Sequence, residues 1–256
     1  MPTLLSRQFI RYNMNILLSN DDGIFSEGLI ALANVLIKRH NLTIIAPNGN
    51  RSGFSRSLTF HRDFTFEKVD LKGIEGYSLS GTPGDCAKFG ISHFKKDIDL
   101  FICGINLGPN LGNDIFYSGT VNACFEANFL GVPSIAFSNS AHKDFKVEET
   151  AKYIDKILDK LIELSSKDYT LNVNLPNLNA SEIKGVKPCP VGSVRYTDGY
   201  ISPSENVYRL IGEPIPPTEE DNGTDVYYVY DGYVTVTPVT HSVMNSQAYE
   251  KLKDNF

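Results

Sequence analysis

The chain has 256 residues, enough for one large α/β domain or a domain with an appendage, and its 41% apolar and 21% charged content is that of an ordinary globule. A net charge of −6 argues against a polymeric nucleic acid partner, which needs a basic face, but leaves room for a small anion whose charge a metal can balance. No apolar run approaches the ~20 residues of a membrane span, and residues 1–13 lack the apolar stretch of a signal peptide, so the expected location is cytoplasmic.

Met14 stands just before the first predicted strand, and residues 1–13 read as a loose N-terminal extension. Residues 16–18 form a short apolar strand that Ser19-Asn-Asp-Asp-Gly23 breaks with turn-forming residues. Apolar positions at Leu29, Leu32, Ala33, Leu36 and Ile37 predict a helix over 27–40. Residues 42–46 predict a buried strand, and the polar stretch 48–57 is too long for a minimal turn. Strands are expected over 64–69 and 76–79. A helix should then start at Thr82, with Pro83 at its first position and Asp85 in its first turn.

A strand over 98–103 leads into a Gly/Asn loop over 104–113, followed by a helix over 120–130 and a strand over 132–137. Val147, Ala151, Ile154, Leu158 and Leu161 mark one face of a long helix, and 171–175 a further strand. Such alternation predicts an α/β fold: a Rossmann-like, three-layer core over 14–175 with a mostly parallel sheet. Past residue 176 proline, glycine and tyrosine crowd together. Residues 176–256 read as a β-rich extension with a hairpin from 227–230 to 232–237 and a short helix over 246–253. That aromatic hairpin serves either as an oligomerisation element or as a flap on its own core. The four cysteines lack Cys-x-x-Cys spacing and read as buried free thiols. The five histidines stand singly, as structural or surface residues.

In a parallel sheet the strands share one carboxyl edge, so the loops after them converge. Asp21 and Asp22 follow the first strand; like charges side by side repel, and a hard divalent cation relieves them. In isolation the same residues make a plain turn with Asp22 as a helix cap. The Arg51-Ser52-Gly53 loop follows the second strand. In Gly104-Ile-Asn-Leu-Gly-Pro-Asn-Leu-Gly112, Asn106 and Asn110 offer amide oxygens to a metal and N–H groups to phosphate. Ser118, Gly119 and Thr120 open a helix whose free N–H groups favour an anion, although Ser118 serves equally well as a simple cap. Neither G-x-G-x-x-G nor P-loop spacing is present. A cation site beside a helix start suits metal-assisted hydrolysis of a phosphate ester.

Five segments together resemble the SurE family of acid phosphatases and 5′/3′-nucleotidases. They are Ile16-Leu-Leu-Ser-Asn-Asp-Asp-Gly23, the Ala46-Pro to Asn50-Arg-Ser-Gly53 stretch, Gly81-Thr-Pro with Asp85-Cys86, the Gly104–Gly112 loop and Tyr117-Ser-Gly-Thr-Val121. Weaker echoes are Leu171-Asn-Val-Asn-Leu-Pro176, Thr224-Asp225 and Gly232-Tyr-Val-Thr-Val-Thr-Pro238, while the segment 237–246 departs from the family pattern. The resemblance implies one divalent cation per subunit, Mg²⁺ or Mn²⁺, held by Asp21, Asp22, Ser52 and Asn106. Asn110, Ser118, Gly119 and Thr120 would line a phosphate pocket, and Asp21 and Asp22 would carry catalysis. It implies release of phosphate from nucleoside 5′- and 3′-monophosphates and from short polyphosphate, by a homodimer or homotetramer joined through the C-terminal extension. A non-catalytic nucleotide sensor, or a phosphatase of another small phosphorylated metabolite, is the alternative. A receiver module would need a further Asp and a Lys that the 104–112 loop lacks, and a haloacid-dehalogenase-type phosphatase would need Asp-x-Asp.

Overall fold

The computed structural model describes residues 13–94, 98–141, 143–242, 244, 246–253 and 255; the extension expected over 1–13 lies outside them except for Asn13, as does His142. The chain runs β1 (Asn15–Ser19), α1 (Glu27–Leu36), β2 (Asn41–Pro47), β3 (Phe66–Leu71), β4 (Ile74–Leu79), α2 (Pro83–His93) and β5 (Leu100–Leu107). A 3₁₀ turn (Gly112–Phe116) leads to α3 (Gly119–Phe129), β6 (Ser134–Asn139), α4 (Val147–Leu164) and β7 (Thr170–Leu175). Then come β8 (Val186–Pro188), β9 (Arg195–Tyr196), β10 (Gly199–Ser204), β11 (Val207–Ile211), β12 (Pro214–Ile215), a second 3₁₀ turn (Glu219–Asp221), α5 (Asp225–Tyr230), β13 (Val234–Val239) and α6 (Ser246–Lys253).

Nine strands form one sheet in the order β3-β4-β2-β1-β5-β6-β7-β13-β8. From β4 to β7 neighbours are parallel; β3 is antiparallel at one edge, and β13 is antiparallel to β7. Both faces of the parallel strands are covered, which is why they read as continuous apolar runs. Leu29, Leu32 and Leu36 of α1 and Ile154 and Leu158 of α4 pack on one face. Cys86 and Ala87 of α2 and Val121, Cys124 and Phe125 of α3 pack on the other, giving three layers as expected. From β1 the chain moves to β2 and β4 on one side, then returns to add β5 on the other. The crevice between the ends of β1 and β5 is therefore the switch point where open α/β sheets take ligands.

The start of α2 follows the sequence closely: Thr82 Oγ1 accepts the Asp85 N–H at 3.1 Å and Asp85 Oδ2 accepts the Thr82 N–H at 2.8 Å. Residues 227–230 differ from expectation, since they form α5 rather than a hairpin strand. Thr224 caps the helix by accepting the Tyr227 N–H, and Val226 and Val229, three apart, bury one helical face. The cap and that face outweigh the β-propensity of the Tyr/Val run. Residues 234–239 are a strand, but as β13 they join the main sheet between β7 and β8. The exposed hairpin is β10–β11 instead. All four cysteines are free and buried, and among the described residues no helix is long and apolar enough to cross a membrane.

His40 sits after the C-terminal turn of α1, where a cation suits the helix dipole, yet it is buried and its ring nitrogens have no hydrogen-bond partner among the described residues. Burial, then the nearby Arg39 charge, lowers its pKa, with Asp159 opposing. The unfolded chain, titrating near 6.5, binds the proton that the fold refuses, so stability falls as pH drops below 6.5. Urea unfolding of His40→Leu should show a shallower loss between pH 7.5 and 5; an unchanged slope would refute the assignment. Gly28, at the start of α1, is pressed on β5, and an added Cβ would lie 2.0 Å from the Ile105 carbonyl oxygen. Gly28→Ala should lower the unfolding free energy by about 2–3 kcal/mol, measured in urea, because backbone rather than a flexible side chain blocks the methyl.

Candidate active site

The turn after β1 is braced from within. Asn20, fully buried, accepts the Gly23 N–H at 3.2 Å and donates to the Gly23 carbonyl at 3.0 Å and to Ser26 Oγ at 2.6 Å. Gly23 takes φ +108°, a left-handed conformation that L side chains rarely adopt, and its N-terminal neighbours Asp21 and Asp22 are thereby aimed apart.

Asp21 is 4% exposed and reaches the start of α3, where its Oδ1 accepts the Thr120 hydroxyl. Gly119 permits the approach, since a Cβ there would lie 2.7 Å from Asp21 Oδ2. Burial pushes the Asp21 pKa up to about 6; the Thr120 hydrogen bonds work against that rise and the adjacent Asp22 charge adds to it. Asp22 is half-buried, and its Oδ2 accepts the Leu107 N–H at 3.1 Å. Burial raises its pKa as well, with the Leu107 N–H opposing.

The other loops close in on this pair. The Arg51 N–H donates to the Asp21 carbonyl at 2.7 Å, and Asn50 Nδ2 lies 3.4 Å from Asp22 Oδ1. Asn50 Oδ1 also accepts the Ser52 N–H at 2.9 Å, which links the exposed Ser52 to Asp22 only through Asn50. Farther along, Arg56 and Lys88 converge on the buried Glu126 of α3 at 3.0 and 2.9 Å, pinning this loop to the helix. Asn106, at the end of β5 and 8% exposed, gives its amide N–H to the Gly108 carbonyl at 2.7 Å, and its amide oxygen accepts no hydrogen bond among the described residues. Among the described residues no three acidic, His or Cys side chains converge. The donors that accompany the two carboxylates are amide and hydroxyl oxygens, a hard set that fits Mg²⁺ or Mn²⁺.

The residues expected on phosphate fare differently. Asn110 lies in a buried amide cluster behind the loop. Ser118 caps α3 by accepting the Val121 N–H at 3.0 Å, and the hydroxyl of the fully buried Thr120 serves Asp21. The helix start that the sequence suggests for an outside anion thus already holds an internal one. The sequence reading missed Asn20 and Asn50, whose signal was their place beside the Asp pair and the Ser52 loop. It weighed Asp225 only as an echo, yet that residue is fully buried and takes the N–H groups of Gly112, Gly192 and Val226 at 2.9, 2.7 and 2.8 Å. Asp225 therefore ties the 104–112 loop to the far end of the chain.

An acidic, oxygen-lined crevice at the switch point of a doubly wound sheet is the arrangement of an α/β enzyme that works on a charged ligand. The family described as Survival protein SurE matches residues 16–198. Similar relatives named 5′-nucleotidase SurE come from Clostridium beijerinckii, 42% identical over 88% of this chain and 92% of the relative, and from Clostridium botulinum (strain Alaska E43 / Type E3), 40% identical over 95% and 100%. The crystal structure of the SurE protein from Aquifex aeolicus superposes with a TM-score of 0.83 at 37% identity, covering 94% of this chain and 99% of that one. The chain belongs to the SurE family.

Asp225→Asn sets an amide N–H₂ against backbone N–H groups that now meet carboxylate oxygens. It should cost about 2–3 kcal/mol in urea unfolding and raise protease susceptibility in the 104–112 and 190–194 segments. Wild-type stability in that variant would show that the clamp contributes little.

Proposed function

We infer that this chain is a metal-dependent 5′-nucleotidase, a phosphomonoesterase that releases phosphate from nucleoside 5′-monophosphates. The observation that carries the reading is the joining of Asp21, Asp22 and Asn106 at the β1–β5 crevice, against the start of α3. Nucleoside 3′-monophosphates and short polyphosphate are proposed as further substrates. Asp21, Asp22, Ser52 and Asn106 are the proposed ligands of one divalent cation, Mg²⁺ or Mn²⁺. When bound, such a cation supplies positive charge to the phosphoryl oxygens and to the attacking water.

The chain's own residues do the rest. Thr120 keeps Asp21 oriented, and the Leu107 N–H fixes one oxygen of Asp22 while leaving the other toward Asn50. Asn110 and the first N–H of α3 at Gly119, which has no partner within the helix, are the donors proposed for the phosphoryl oxygens, while Ser118 and Thr120 hold that helix start in place. Exposed rings at Phe116 and Tyr117, immediately before Ser118, offer faces on which a base can stack. Assembly as a homodimer or homotetramer is proposed through the extension after residue 176, whose β10–β11 hairpin exposes Tyr200 and Tyr208. Free cysteines support a cytoplasmic location.

Phosphate release from a panel of nucleoside 5′- and 3′-monophosphates, with Mg²⁺ or Mn²⁺ and again with excess EDTA, tests the reading. Release should be abolished by EDTA and fall on the order of 10³-fold in Asp21→Asn with the fold intact by circular dichroism. Turnover that survives both treatments would overturn the role of the Asp pair.

A further inference from the structure

Asn110 is held from behind, by the core of the sheet. Strand β7 is buried along its whole length, yet it carries Asn172 and Asn174 on one face. Asparagine is a poor strand residue, and a buried amide is costly unless it is hydrogen-bonded. The bonds that the two amides make go to Asn110, while Asn172 Oδ1 is buried without a partner among the described residues. Asn174 grips the backbone of that residue with both ends of its side chain: Oδ1 accepts the Asn110 N–H at 2.8 Å, and Nδ2 donates to the Asn110 carbonyl at 3.1 Å. Asn172 Nδ2 donates to the same carbonyl at 2.8 Å.

Ser138 of β6, opposite Asn174 in register, accepts from Asn110 Nδ2 at 2.7 Å. Asn172, Asn174 and Ser138 are fully buried, and Asn110 is 7% exposed. Together they fix the backbone of Asn110 and the plane of its amide, and they consume one of its two side-chain N–H groups. The second remains for a ligand. Apolar β-branched residues would fill β7 without any need for partners, so what the asparagines add is a fixed residue in the 104–112 loop.

We propose that Asn174, with Asn172 and Ser138, is a positioning residue for the phosphoryl group, acting by presetting the backbone and amide of Asn110 before substrate arrives. The proposal rests on the reading of Asn110 as a phosphate ligand. Presetting removes the ordering cost from binding, so losing it weakens whatever Asn110 holds. A structural role alone would lower stability without singling out phosphate.

The test is a double-mutant cycle on wild type, Asn110→Ala, Asn174→Val and the double variant. Inhibition by inorganic phosphate is read together with KM and kcat for a nucleoside 5′-monophosphate, and urea unfolding is followed in parallel. Asn174→Val should weaken phosphate inhibition and raise KM about tenfold, the scale of one well-made hydrogen bond, and add nothing in the Asn110→Ala background. Undiminished phosphate inhibition in Asn174→Val, or a loss that adds in full to that of Asn110→Ala, would overturn the proposal. Unaltered inhibition in Asn110→Ala would instead overturn the reading of Asn110 itself, and positioning with it. If Asn174→Val does not fold, Ser138→Ala, which removes one acceptor and leaves β7 intact, carries the same test. It should weaken inhibition about threefold in the wild-type background alone, and no change there would overturn the proposal.

Discussion

The structure turns on one buried anion. Asp21 sits inside the protein at the end of β1, next to a second carboxylate, in surroundings that disfavour charge. An isolated carboxylate in such a place would simply take up a proton, because the cost of desolvation exceeds that of neutralising it. Three local features hold it nearer the charged side: the Thr120 hydroxyl, backbone N–H support at Thr120, and the positive end of α3. They work only at contact distance, and contact is possible only because residue 119 has no side chain. The sequence Ser118-Gly119-Thr120 is thus explained position by position: a cap, a gap and a hydroxyl.

That one contact makes demands on distant parts of the chain. To bring α3 against the end of β1, the loop from β5 must span the crevice, cross to the α2–α3 side of the sheet and be held there. It is held at both ends by side chains from later elements. Asn174 and Asn172 grip Asn110, and Asp225 takes the Gly112 N–H. Asp225 in turn depends on α5, and α5 on β13, which lies in the main sheet between β7 and β8. The segment after residue 176 is therefore more than an appendage, since its last strand and its short helix help to fix a loop contributed by the first half of the chain.

This division also explains what could be read in the sequence. Strands β1, β2 and β5 are legible because burial on both faces leaves apolar runs, β6 from its apolar centre and β7 from its alternation of Leu and Val with Asn, and the start of α2 because a capping box is local chemistry. The hairpin β10–β11 was not, since neither of its faces is buried and no alternation marks it. The Tyr227–Tyr230 run misled because β-propensity is a preference about packing, and here the packing is that of Val226 and Val229 on a helix. At the site, Asp21, Asp22 and Asn106 were legible as polar residues at the ends of apolar strands. What no sequence pattern shows is which neighbour claims a hydroxyl: Thr120 and Ser118 suit an outside phosphate equally well until the fold gives one to Asp21 and the other to Val121.

The same bookkeeping bears on why a cation belongs in the crevice. A phosphoryl dianion that approaches meets two carboxylates, and each of its two charges meets a repulsion of about 4 kcal/mol per carboxylate at 4 Å with an effective dielectric of 20. Of the nearby basic groups, two are paired with a carboxylate elsewhere and Arg51 is turned to neutral oxygens, so one positive charge stands against two carboxylates. Arg51 bonds Asn48 and the Ser80 carbonyl, and Arg56 and Lys88 bond Glu126. At the positive end of α3 the Thr120 hydroxyl already serves Asp21, which leaves the neutral Gly119 N–H as the donor there. With net charge −6 there is no broad basic field to make up the difference. Neutral donors such as Asn110 orient an anion but contribute far less than full charges do. The ion proposed above, held by the carboxylates themselves, would supply that attraction. On the proposed reading, the acidity that repels the substrate would hold the charge that attracts it.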